Sequence, residues 1–168
     1  MSVRQVSISR ESSLMSIAMT EFSKYFTFEN MTKSSRYPHL VELNREEAMP
    51  FMESGKKLSL LCEKIRLFLG VPLKETSGFR GVALSNAGGF SIRSAHTRFE
   101  ALDVVPIGMS AKEAFAKIKE NAHLFDDLRK VILERVRGKE WLHIEVKTKE
   151  SDALAFYTTI DGKSFVRV

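Results

Sequence analysis

Two of the four histidines stand near carboxylates at spacings that could serve a metal. His96 is followed seven residues later by Asp103, in SAHTRFEALD, and His143 is preceded three residues earlier by Glu140, in KEWLHIEV. On a continuous helix His96 and Asp103 would share a face yet stand about 10 Å apart along the axis. One ion with bonds of about 2.0–2.2 Å could not take both. The pair makes metal sense if His96 lies on a loop and Asp103 on the strand that follows. In a strand, residues three apart point to opposite faces. Glu140 therefore reaches the site of His143 only from the turn leading into the strand, where Gly138 and Lys139 offer a place. Two histidines, one aspartate and an open fourth position make a catalytic zinc site. The metal lowers the pKa of water towards roughly 7, and a neighbouring carboxylate, here Glu140, takes the proton as water attacks a carbonyl. Arg80, in SGFRG, is the candidate cation for the oxygen that turns negative, or for a substrate carboxylate. Taken singly, each histidine also suits a structural or surface role, and neither pair is diagnostic alone. His39 and His123 belong to no such pair.

The elements that must position these groups follow from periodicity and punctuation. A helix is predicted from Asn44, as its cap, through Leu58, Leu61, Ile65 and Leu69, bent or interrupted at Pro50 and Gly55 and stopped at Gly70. Residues 71–76 are extended, and 81–98 read as a long loop of the kind that carries function. Ala101–Val105 is a short strand ended by Pro106, and Ser110 with Glu113 caps a helix to about Ala122. Val131–Val136 and Trp141–Lys147 are neighbouring strands around Gly138, and a hairpin around Asp161-Gly162 closes the chain. The fold class is α+β, with helices on one side of a small, mostly antiparallel sheet. Residues 1–24 are expected to be a leader, a short helix or partly ordered, and 25–168 the domain.

Read in order, TSGFRG, Asn86 with Gly88-Gly89, Ser94-Ala95-His96, Ala101-Leu102-Asp103 and Glu140-Trp141-Leu142-His143 resemble the zinc D-alanyl-D-alanine carboxypeptidase family. That family includes VanX and VanY types and the L-alanyl-D-glutamate endopeptidases of phage lysis. LRKVILE at 128–134 and FTFENM at 26–31 are similar to its phage and prophage branch, and the likeness covers roughly residues 25–147. The resemblance implies a Hedgehog/DD-peptidase fold, zinc on His96, Asp103 and His143, Glu140 as base, and Arg80, Ser94 and Trp141 around the substrate, Trp141 chiefly as packing. It implies a peptidoglycan stem peptide as substrate, cut near a D-residue. Phe99 departs from the pattern, standing where the family has glycine. A required positive φ would strain it, and a cleft-lining position would narrow the cleft. A non-catalytic zinc-binding structural or wall-binding virion protein is the alternative.

Composition agrees with an ordinary globular domain: 43% hydrophobic and 28% charged residues. No apolar run reaches the roughly 18 residues that span a bilayer, and no secretory signal is read at the start. The expected setting is synthesis in a host cytoplasm and action on the wall after release or from a virion, as a monomer without membrane insertion. The net charge of +5 suits an anionic wall. It is too thinly spread to mark a nucleic-acid surface. Cys62, the single cysteine, sits in an apolar helical stretch and reads as a buried small hydrophobe.

Overall fold

The computed structural model describes residues 22–168. The leader expected at 1–24 thus lies largely outside the described residues, but Phe22 and Ser23 are buried in the domain. Five helices precede or interleave six strands: α1 (Phe28–Thr32), α2 (Val41–Ala48), α3 (Met52–Leu69), β1 (Leu73–Ser77), α4 (Val82–Gly88), β2 (Ala101–Pro106), α5 (Ala111–Glu120), β3 (Leu128–Val136), β4 (Lys139–Val146), β5 (Ala155–Thr159) and β6 (Val166–Arg167). The strands form one sheet in the order β1-β2-β4-β3-β5-β6. All neighbours are antiparallel except β3 and β5, which run parallel. The α+β expectation holds. Among the described residues no helix is long and apolar enough to cross a membrane.

The two faces of the sheet differ in chemistry because side chains alternate along each strand. Val131 and Leu133 on β3, and Leu142, Ile144 and Val146 on β4, join the core with Leu58, Leu61 and Ile65 of α3 and Ala114, Phe115 and Ile118 of α5. The opposite face carries Asp103, Ile132, Glu134, Trp141, His143 and Glu145, which line one cavity. Cys62 is fully buried among the core residues, and burial pushes its thiol far above the ordinary range, so it is inert packing.

Three local readings are corrected. The helix predicted from Asn44 begins at Val41, breaks into a 3₁₀ turn at Met49–Phe51 around Pro50, and then runs unbroken through Gly55. Asn44 caps nothing. It is 1% exposed, its Nδ2 donates to the carbonyls of Thr32 (2.8 Å) and Phe79 (3.1 Å), and its Oδ1 accepts from Gly81 N (2.8 Å). Residues 81–98 are no open loop, for they hold α4 and a 3₁₀ turn at Ala95–Arg98.

Phe99 resolves its own question. Its φ is 57°, the left-handed region, so it does stand in a glycine-favouring conformation. The cleft is not narrowed, because the ring is fully buried against Phe22, Phe28 and Phe79, at centroid distances of 5.9, 6.3 and 5.2 Å. Gly55 makes the room. A Cβ there would lie 2.6 Å from Phe99 Cδ1.

Candidate active site

Three donors converge on the polar face of the sheet. Asp103 on β2 is in register with His143 on the adjacent β4, which places the two side chains side by side. His96 arrives from the 3₁₀ turn, whose start is capped by Ser94: its Oγ accepts from His96 N at 3.3 Å. His96 Nε2 lies 3.4 Å from Asp103 Oδ2, and His143 Nδ1 lies 2.8 Å from Asp103 Oδ1. One ligand atom from each of the three residues lies within 4.8 Å of the others.

The SGFRG segment holds His96 in place. Gly78 follows an irregularity in the β1–β2 register between Glu75 and Ser77 and has no room for a Cβ against the Met31 carbonyl. Its own carbonyl accepts from His96 Nδ1 at 2.7 Å, and Arg80 N donates to His96 O at 3.1 Å. Asn44 pins the same segment from behind through Phe79 and Gly81.

These bonds decide the chemistry of the nitrogens. A carbonyl can only accept, so His96 Nδ1 carries the proton and Nε2 faces Asp103. Burial lowers the His96 pKa, although Asp103 opposes this. A bare Nε2 lone pair opposite a buried carboxylate calls for a cation between them. Nitrogen and oxygen donors on one tetrahedral zinc stand about 3.3 Å apart, given bonds of about 2.0–2.1 Å, which suits the 3.4 Å observed. The residues therefore fit a zinc ion.

His143 is oriented from its far side. Its Nε2 donates to Glu145 Oε1 at 3.0 Å, and Lys130 Nζ donates to the same oxygen at 3.1 Å. Burial opposes ionisation of both groups. The hydrogen bonds outweigh it, raising His143 to about 9 and lowering Glu145 to about 2. Asp103 is likewise held far below the ordinary carboxylate range by the two histidines against the pull of burial. Glu145 thus fixes which nitrogen of His143 faces Asp103, as a carboxylate behind a metal-binding histidine does. Sequence reasoning missed Glu145, although its place two residues after His143 on a strand puts it on the same face. Glu145→Ala is expected to weaken zinc binding about 10- to 100-fold, measured by competition with a chelator. Unchanged affinity would remove its orienting role.

The cluster forms part of the wall of a cavity of about 810 Å³. Arg80, Ser94 and Trp141 line it, as expected of substrate neighbours. The Arg80 guanidinium stacks on Phe90 at 4.2 Å, and its buried Nε has no hydrogen-bond partner. Glu140 is elsewhere. Val136 pairs with Lys139 and Arg135 with Glu140, leaving a turn of only Arg137 and Gly138, with φ of 52° and 75°. Such a two-residue hairpin turn, positive φ at both positions, puts Glu140 inside the ladder, on the face opposite His143. There its Oε1 accepts from Ala111 N at 2.9 Å, at the start of α5, beside the Ser110 Oγ that accepts from Glu113 N at 3.0 Å. It caps a helix and does not reach the cluster.

A model of the peptidase M15 family matches residues 24–145. The chain belongs to the peptidase M15 family. No curated protein matches it. M15 peptidases depend on zinc, and the buried His96, Asp103 and His143 are the group of this M15 chain that could hold it. The match ends at the strand that carries His143 and Glu145, whereas Tyr157, Gly162 and Phe165 of the cavity wall lie beyond it. This M15 domain therefore builds part of its substrate wall from the closing hairpin. His39 and His123 are not among the residues that line the cavity.

Proposed function

We propose that this M15 peptidase is a zinc enzyme that hydrolyses peptide stems of peptidoglycan near a D-residue. The observation that carries the reading is the convergence of three buried donors in the wall of an open, cation-rich cavity. His96, Asp103 and His143 would hold the ion, and the metal would supply Lewis acidity for attack of water on a carbonyl. Arg80, with its backbone pinned and its Nε unpartnered, would grip a substrate carboxylate or meet the developing oxyanion. Ser94 supports His96, and Trp141 forms wall beside it. Arg93, Arg98, Arg129 and Lys130 add positive charge around the opening, which suits an acidic stem peptide and an anionic wall. The sequence likeness to the phage and prophage branch supports a lysis enzyme or a virion-carried wall opener.

One observation favours a second reading. The carboxylate that the sequence pattern offers as base, Glu140, faces away from the cluster, as it would in a zinc-binding wall or virion protein without activity. Digestion of purified murein by zinc-loaded protein separates the two. Release of new amino groups, with fragments identified by mass spectrometry, is expected and names the bond. One zinc per chain with no release from any murein preparation would establish the binding protein instead.

A further inference from the structure

Three carboxylates line the cavity: Asp103, Glu134 and Glu145. Two are committed. Asp103 faces both histidines, and Glu145 holds His143 and Lys130. Glu134 is not. It sits on β3 opposite Trp141, one pair along from Ile132 opposite His143. Glu134 and His143 are therefore diagonal neighbours on one face, a separation that a long side chain covers. The Trp141 side chain hydrogen-bonds to the Glu134 carboxylate, and an indole N–H can only donate, which restrains the carboxylate toward the cluster.

Resting on the peptidase reading above, we propose that Glu134, and not Glu140, is the catalytic acid and base of this enzyme. Water gives one proton to the Glu134 carboxylate as its oxygen bonds to the scissile carbonyl carbon. When the C–N bond breaks, its electron pair stays on nitrogen. Glu134 returns the proton to that nitrogen, leaving an acid, an amine and an ionised Glu134. The surroundings suit the task. Burial, and then the charge of Asp103, push the Glu134 carboxyl above its ordinary value, while His143, Trp141 and Arg80 oppose them. A carboxyl shifted upward sits nearer the operating pH, where proton transfer in both directions is most effective. The assignment also explains Trp141, which becomes the residue that positions the base.

Zinc-loaded wild type, Glu134→Gln and Glu140→Gln are compared on a murein stem peptide. Glu134→Gln is expected to lose about 10²- to 10⁴-fold in kcat, the usual scale for a lost general base. It should keep one zinc per chain, its melting temperature and the calorimetric affinity for uncleaved peptide. The acidic limb of its kcat/KM profile should vanish, which a merely structural role would not produce. Glu140→Gln is expected to stay within a few-fold of wild type in kcat and to melt earlier. Turnover within tenfold of wild type in Glu134→Gln, or a hundredfold loss in folded Glu140→Gln, would overturn the assignment while leaving the peptidase standing. An inactive wild type would overturn both.

Discussion

His143→Ala is expected to abolish zinc binding and peptide hydrolysis together. The side chain is one of three donors, and two donors do not hold a zinc ion against water at ordinary concentrations. The effect is separable from folding by a melting experiment. Zinc at about 1,000 times its Kd stabilises a folded site by about 4 kcal/mol, which in a domain of this size raises the melting temperature by roughly 10 °C. Wild type should show that rise and His143→Ala none. The variant also loses the proton donors that satisfy Asp103 and Glu145 at 2.8 and 3.0 Å, so its metal-free form should melt somewhat below metal-free wild type. A zinc-induced rise that survives the substitution would mean that the ion binds elsewhere, and with it the site assignment would fall.

Phe99→Gly is expected to lower the melting temperature by roughly 10 °C, the second large effect. Two terms compete. The left-handed backbone at φ 57° favours glycine by about 1–2 kcal/mol. Removing a fully buried phenylalanine from a cluster with Phe22, Phe28 and Phe79 costs about 3–5 kcal/mol. Packing wins by about 2–3 kcal/mol, or several degrees and upward in a chain of this length. Zinc stoichiometry should be unchanged, since the ring faces the core. A melting temperature equal to or above wild type would show that backbone strain, not packing, governs the position.

The sequence made much of this legible where a single local rule decides. The apolar period of Leu58, Leu61, Ile65 and Leu69 announced α3, and Ser110 with its hydroxyl on Glu113 N announced α5. The spacing argument for His96 and Asp103, loop-like backbone followed by strand, matches the 3₁₀ turn and β2. Errors arose where a side chain answers to a distant backbone. Asn44 resembled a helix cap, yet its amide serves carbonyls 12 and 35 residues away. Glu140 was placed in a loose turn because Gly138 and Lys139 allowed one. The turn closes at Arg137 and Gly138, and strand parity then sends Glu140 to the helix side. The same parity, applied to β3, would have put Glu134 on the histidine face, had the register of the hairpin been known. α4 escaped notice because Gly81 offers no side-chain cap, and the start is steadied instead by the Glu47 carboxylate, which accepts from Ala83 N at 3.4 Å.

The fit of Phe99 against Gly55 makes the fate of one residue depend on the history of the other. With the phenylalanine present, Gly55→Ala adds a methyl 2.6 Å from the ring, an overpacking that costs about 1–3 kcal/mol. With glycine at 99, the same change fills vacated space and adds the helix preference of alanine, about 1 kcal/mol. One mutation is thus harmful or helpful according to which came first. A lineage holding this pair cannot return stepwise to the small residue at 99 without passing through a less stable intermediate. Chains of the family that took the aromatic at this turn are in that respect on a one-way road, and a glycine in the middle of the preceding long helix is the trace by which other such chains can be found.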